Sequence, residues 1–227
     1  MAGRIAGAAA LALGLLAGAG AARAEEASGP GWFEWADFGE VCGGECAAGV
    51  FAGQWIDTAM SEMFLYGSND PVPPWDWEWR EDYILGFQVS RRVARVFDRI
   101  DVEAEAGAAI RGGEGRSDEV WIAAYVRWTE FPWNETVRTS FAINTGLNYA
   151  STVTPVARAR SKTDAGSRLL HYLAPEITFA PASWAETDLF LRFHHRSGGA
   201  QIWGDSALFN NVSGEAQYWV LGIRTSF

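Results

Sequence analysis

Apolar and polar residues alternate with a period of two along much of the chain. In IDVEAEAGAAI, residues 100–110, every second side chain is apolar and the acidic side chains Asp101, Glu103 and Glu105 occupy the opposite face. VRTSFAINTGLNY, residues 137–149, repeats the pattern with aromatic and aliphatic residues on one face. Such alternation is typical of strands with one apolar face, which a soluble sandwich turns inward and a membrane barrel turns outward.

Eight segments of this kind occur, and the lengths of their connections decide between the two architectures. The segments are 50–60, 82–96, 99–111, 118–129, 137–150, 168–180, 186–198 and 215–227. Long connections alternate with short ones, apart from the modest loop GGEGRS, which is the rhythm of an outer-membrane barrel with long external loops. The sequence therefore predicts an all-β protein, an eight-stranded antiparallel transmembrane β-barrel with both termini in the periplasm. After residue 24, no run of 18 apolar residues predicts a helical membrane span.

The last predicted strand, EAQYWVLGIRTSF, ends on Phe227 and places Trp219, Leu221 and Ile223 on one face. It is similar to the terminal strand of bacterial outer-membrane barrels, in which a final aromatic residue is part of the assembly signal. This similarity implies the barrel assembly machinery as a partner and the outer membrane of a Gram-negative bacterium as the location.

The beginning of the chain has the composition of a secretory signal. Residues 1–24 combine an early arginine, an apolar run and the small-x-small triplet Ala22-Arg23-Ala24, which predicts cleavage before Glu25. Residues 25–49 are predicted to form a periplasmic N-terminal extension, and residues 50–227 the barrel. Cys42 and Cys46 are the only cysteines, and in an oxidising compartment they are expected to close a small disulfide loop. The net charge of −10 argues against nucleic-acid binding.

Candidate chemistry is concentrated in the seventh predicted strand, within LRFHHRSGG, residues 191–199. Successive side chains of a strand point to opposite faces, so His194 is expected inside the barrel while His195 and Ser197 share the outward face. A histidine two residues from a serine has the composition of a base and a nucleophile for ester cleavage. Polar side chains at a strand end near lipid headgroups would give the same pattern, so the spacing leaves both interpretations open.

The position of other residues relative to His195 and Ser197 suggests further members of the proposed site. Glu215 has the outward parity of the eighth strand and is predicted to orient His195, while Gln217 on the same parity is the alternative orienting residue. The backbone N–H groups of Gly198 and Gly199 are candidates to stabilise an oxyanion.

The motif HRSGG, a loop and a final strand at the end of an eight-stranded pattern resemble the outer-membrane lipid A 3-O-deacylases. That family removes an ester-linked acyl chain from lipopolysaccharide with a His-x-Ser pair and a glutamate on the lipid-facing exterior. The resemblance, which covers mainly the last 40 residues and the strand count, implies that His195 is the base and Ser197 the nucleophile. Two departures are visible: Gly198 stands where the family has asparagine, and Gln217 aligns with the family glutamate, two residues after Glu215. RWTEFPWN, residues 127–134, resembles a broader branch of deacylase-like barrels.

Two function hypotheses follow from these residues. The first is a lipid A 3-O-deacylase-like esterase that takes lipopolysaccharide from the outer leaflet without a metal or cofactor, with Arg158 and Arg160 as candidate contacts to the phosphates of lipid A. The alternative is a non-catalytic outer-membrane barrel with a structural or lipopolysaccharide-binding role. Contact with outer-membrane lipids is expected in either case, and an oligomer is compatible with both.

Overall fold

A computed structural model describes residues 31–64, 71–198 and 207–227. The predicted signal at residues 1–24 lies outside these ranges and stays a prediction. The described strands are β1 (Phe33–Trp35), β2 (Cys46–Ile56), β3 (Trp79–Val96), β4 (Ile100–Arg111), β5 (Ser117–Trp128), β6 (Val137–Ala150), β7 (Leu169–Leu173), β8 (Glu176–Pro181), β9 (Thr187–Ser197) and β10 (Ala216–Ser226). Two short helices, α1 (Met60–Met63) and α2 (Pro155–Ala159), and two 3-10 turns (Pro74–Asp76 and Ala207–Phe209) lie between them. In the described ranges, no helix is long and apolar enough to cross a bilayer.

The strands close into a ring of antiparallel pairs. β2 pairs with β3, and the order continues through β4, β5 and β6 to β9 and β10, which pairs back with β2. β7 and β8 together occupy the single place between β6 and β9. The protein is therefore an all-β, eight-stranded antiparallel barrel of the outer-membrane type, as the alternation predicted.

One predicted strand, residues 168–180, is two strands in the structure. Ala174 and Pro175 separate β7 from β8, because proline has no N–H to donate to the ladder. The Asn144 side chain accepts the N–H of Ala174, and the carbonyl of Pro175 accepts the N–H of Phe193. The register with β9 is kept on both sides of this break.

The two ends of the barrel differ. The β3–β4, β5–β6 and β8–β9 connections are short and lie at the end that holds residues 31–45 and the C-terminus, here called the turn end. The β2–β3, β6–β7 and β9–β10 connections are long and lie at the opposite end, here called the loop end. Long loops are external in outer-membrane barrels.

The segment before the barrel packs against the turn end. β1 pairs with the last residues of β3, and the Arg91 guanidinium donates to the carbonyls of Asp37 (2.8 Å) and Glu40 (3.0 Å). A disulfide joins Cys42 to Cys46, as the sequence predicted. β2 begins at Cys46, four residues before the predicted start of the barrel.

The barrel wall is apolar outside and aromatic and charged inside. The exposed outward residues include Val50, Leu85, Ile122, Val126, Phe141, Ile143, Leu147, Ile177, Leu191, Leu221 and Ile223. The interior holds an aromatic cluster formed by Phe51, Trp55, Trp121, Tyr125, Tyr172, Phe190 and Tyr218. Gly107 makes room for this cluster, since a Cβ there would lie 2.1 Å from the Trp121 ring. Side chains fill the lumen, as expected for eight strands.

Candidate active site

The two neighbouring histidines of β9 point to opposite sides of the barrel wall. Arg192, His194 and Arg196 are buried in the lumen, whereas His195 and Ser197 share the face of the exposed Leu191. Alternation along the strand therefore predicted this division correctly.

The strand register gathers polar side chains around His195 and Ser197. In the β7–β9 pair, His171 lies directly opposite Ser197, and in the β9–β10 pair Gln217 lies directly opposite His195. Thr145 on β6 reaches the same group, since its hydroxyl oxygen lies 2.9 Å from His171 Nε2. We call Thr145, His171, His195, Ser197 and Gln217 the outward cluster. Among the described residues, no group of three or more His, Cys, Asp or Glu side chains is arranged to hold a metal ion.

Four members of the outward cluster, His171, His195, Ser197 and Gln217, are covered rather than exposed to the membrane, whereas Thr145 is exposed at its edge. Along the outward face of β9, Leu191 is 38% exposed, whereas Phe193 is 0% and His195 and Ser197 are each 7% exposed. The sequence predicted that His195 and Ser197 face lipid. The structure corrects this prediction, because other parts of the chain fold over this end of the wall.

Part of the cover comes from the β2–β3 connection. Gln217 Nε2 donates to the Thr58 carbonyl at 2.5 Å. The Phe64 ring packs edge-on against Phe193 with centroids 5.2 Å apart, and Trp77 stacks on Trp219 at 5.8 Å. We call residues 57–64 together with Trp77 the cover.

Ion pairs tie the cover to its neighbours. Asp57 lies 2.6 Å from Arg80 on β3 and 3.2 Å from Arg160 in the β6–β7 connection. The predicted phosphate ligand Arg160 is thus engaged with a carboxylate, while the Arg158 side chain is exposed at the same end.

Glu215 does not lie beside His195, which corrects the prediction that it orients this histidine. β10 begins one residue later, at Ala216, so the parity of the strand does not extend to Glu215, whose carboxylate turns into the lumen. There it accepts hydrogen bonds from Arg111 (2.9 Å), Arg196 (2.9 Å) and Thr154 (2.7 Å). Burial raises the pKa of Glu215, but the charges of Arg196 and Arg111 outweigh burial and hold the pKa below its usual value.

Gln217, the alternative orienting residue, is opposite His195, but its amide N–H₂ donates to Thr58. It therefore anchors the cover. Among the described residues, His195 Nδ1 has no hydrogen-bond partner.

Gly198 is not an oxyanion donor in this structure, which corrects a second prediction. Its N–H donates to the Val212 carbonyl at 2.8 Å. A Cβ at this position would lie 2.1 Å from the same oxygen, so the close approach of the β9–β10 connection accounts for the glycine. Gly199 lies outside the described residues, and its assignment stays a prediction.

The lumen contains a network of paired charges that fills the space around the inward face of β9. Arg192 contacts Glu105 (2.7 Å) and Glu176 (2.6 Å), and His194 Nε2 lies 2.5 Å from Glu119. Related pairs join Arg127 to Glu103 and Glu176, and Arg111 and Arg196 to Glu215. The predicted polar barrel core is confirmed.

Sequence reasoning missed His171 as a member of the site. Its position on the same parity as Leu169 and Leu173 was a visible signal that it faces outward. The pairing of His171 with Ser197 depends on the register between β7 and β9, which cannot be read from the sequence.

The comparisons with known proteins agree with the fold. The chain is similar to the crystal structure of the outer membrane enzyme PagL, with a TM-score of 0.50 and 10% identity over 79% of this chain and 99% of that chain. It is also similar to Neisserial surface protein A, NspA (TM-score 0.47, 12% identity, 81% and 97% covered). A third similar structure is Ail, the attachment invasion locus protein of Yersinia pestis, in complex with the heparin analogue sucrose octasulfate (TM-score 0.33, 14% identity, 81% and 98% covered). No protein-family model and no curated protein matches the chain. At these identities the likeness shows the barrel fold alone.

Proposed function

We propose that this barrel is an outer-membrane esterase similar to the lipid A 3-O-deacylases, which hydrolyses an ester-linked acyl chain of lipopolysaccharide with Ser197 as nucleophile. The observation that carries the proposal is the outward cluster. The wall needs no hydroxyl or imidazole on its outer face, yet a serine and two histidines meet there at the loop end. That end would be level with the outer leaflet, where lipid A lies.

The proposed reaction is acyl transfer to serine followed by hydrolysis. Ser197 Oγ forms a bond to the ester carbonyl carbon while its proton passes to an imidazole nitrogen, a role that the sequence assigns to His195. Collapse of the tetrahedral intermediate breaks the ester C–O bond, and the imidazole returns the proton to the leaving sugar oxygen. Water then attacks the acyl-serine and releases the fatty acid. The reaction requires no metal or cofactor.

The surroundings of the outward cluster fit an acyl substrate. Phe193, Trp219, Phe64 and Trp77 form an aromatic surface beside His195, which stacks on Phe193 at 5.7 Å. An acyl chain from the membrane would replace Phe64 and Trp77 of the cover and pack against the wall residues Phe193 and Trp219. Arg158 is the proposed contact to a lipid A phosphate, because Arg160 is paired with Asp57.

The placement of Glu215 favours a second candidate, a non-catalytic barrel with a structural or lipopolysaccharide-binding role. The carboxylate that would support the base is bound to Arg111 and Arg196 inside the lumen. In this alternative, the outward cluster only attaches the loops to the wall.

Mass spectrometry of lipid A separates the two candidates. Cells of a Gram-negative host would express the wild-type protein, Ser197→Ala, or the control Ser213→Ala, whose serine lies in the β9–β10 connection and donates to the Arg160 carbonyl. We expect loss of one hydroxyacyl chain with the wild type and the control, and at least about a 1000-fold slower loss with Ser197→Ala. Unchanged lipid A with a correctly assembled wild-type barrel would contradict the esterase and support the second candidate.

A further inference from the structure

His171 is the histidine of the outward cluster to which the proposed reaction assigns no role. It lies on the outward face of β7 and is only 5% exposed, whereas Leu147, its direct partner on β6, is 39% exposed. A histidine at this position is therefore removed from the membrane and held inside the covered site.

Backbone geometry places His171 nearer to Ser197 than His195 is. Residues directly opposite each other in an antiparallel pair have Cβ atoms about 4.5–5.5 Å apart, and His171 and Ser197 are such a pair. Residues two apart on one strand, as His195 and Ser197 are, have Cα atoms about 6.6–6.8 Å apart. By backbone position, the cross-strand histidine is thus the closer of the two to Ser197.

His171 is also the histidine whose ring has an orienting partner. Thr145 on one side of β7 contacts His171 Nε2 at 2.9 Å, and Ser197 lies on the other side of β7. The Thr145 hydroxyl thus orients the ring, and the serine occupies the directly opposite position on β9. In serine hydrolases a third group likewise orients the base. His195 Nδ1, by contrast, has no hydrogen-bond partner in the described part of the chain.

We propose that His171, positioned by Thr145, is the base that accepts the proton of Ser197, an inference that rests on the proposed esterase function. Thr145 accepts the Nε2–H of His171, and Nδ1 receives the Ser197 proton as Oγ bonds to the carbonyl carbon. Nδ1 then gives that proton to the leaving sugar oxygen as the ester C–O bond breaks. A neutral threonine replaces the usual carboxylate, which agrees with the position of Glu215 inside the lumen.

The test measures lipid A deacylation from pH 5 to pH 9 by the full-length barrel refolded in detergent–lipid micelles. The variants are Ser197→Ala, His171→Gln, His195→Gln, Thr145→Val and Thr145→Ser. Thr225→Val is the matched control, since Thr225 is an outward threonine at the turn end that contacts Thr187. Heat-modifiable migration on gels verifies that each variant is folded.

We expect His171→Gln to lower the rate about 100-fold or more and to remove the decline of rate towards acidic pH that a histidine base produces. His195→Gln should keep that decline. Thr145→Val should lower the rate about 5-fold, the worth of one hydrogen bond, and Thr145→Ser should restore it, while Thr225→Val has no effect.

The outcomes distinguish the esterase function from the assignment of His171 as its base. The esterase function stands if the wild type is active and Ser197→Ala is inactive. If, in addition, folded His171→Gln is active and His195→Gln is inactive, the assignment of His171 is overturned while the esterase stands. A folded but inactive wild type, or a fully active Ser197→Ala, would overturn both.

Discussion

On the inner face of β9, Arg192, His194 and Arg196 each meet a carboxylate, whereas on the outer face His195 and Ser197 lie under a cover formed by other parts of the chain. The inner charges are paired and buried in the lumen. Stability alone explains these residues, because a buried charge must be paired. On the outer face, His195 forms no ion pair with a described residue, and this difference is why we assign chemistry to the outer face and stability to the inner one.

The largest effect should come from breaking the inner network. Glu176 accepts hydrogen bonds from Arg127 (2.8 Å) and Arg192 (2.8 Å). Glu176→Gln should lower the free energy of unfolding by about 3–5 kcal/mol, because two buried guanidinium groups lose a counter-charge. Urea unfolding of the barrel in lipid vesicles measures this change. The control is Glu186→Gln, which changes an exposed glutamate at the turn end. A loss of unfolding free energy below about 1 kcal/mol for Glu176→Gln would show that the network does not stabilise the barrel.

His194 and His195, neighbours on β9, compare the inner and outer faces directly. His194 contacts Glu119 and the Tyr172 hydroxyl (3.0 Å), so His194→Gln should cost about 1–3 kcal/mol of unfolding free energy. His195→Gln should cost less than about 1 kcal/mol, since His195 Nδ1 makes no hydrogen bond to the described residues. Both variants are measured by the same urea titration. Equal losses would mean that the two faces of β9 do not differ in the way described.

The smallest effect concerns the cover. Gln217→Leu removes the hydrogen bond to the Thr58 carbonyl, so residues 59–64 should open about 5-fold more often. Hydrogen exchange of the Met63 and Phe64 amides, which donate to Ala59 and Met60, reports this opening. Peptides from β4 serve as the internal reference. Unchanged exchange of Met63 and Phe64 would show that Gln217 does not hold the cover.

The sequence predicted the barrel well because alternation is a local property. It located each predicted strand to within about four residues and divided His194 from His195 correctly. It failed at Glu215 because parity holds only inside a strand, and β10 starts at Ala216. It could not find the His171–Ser197 pair or the cover, because both depend on register and loop packing between segments distant in sequence. Pro175 was a visible signal for the break between β7 and β8.

The central claim is that Ser197 is an activated nucleophile, and covalent labelling tests it most directly. Outer membranes that contain the wild-type barrel would be treated with a lipophilic fluorophosphonate and mapped by peptide mass spectrometry. In this reaction Oγ bonds to phosphorus, fluoride leaves and the proton passes to a histidine. We predict modification at Ser197 and none at Ser213, with labelling lost in His171→Gln. A folded barrel in which Ser197 stays unmodified, or reacts no faster than Ser213, would contradict the account.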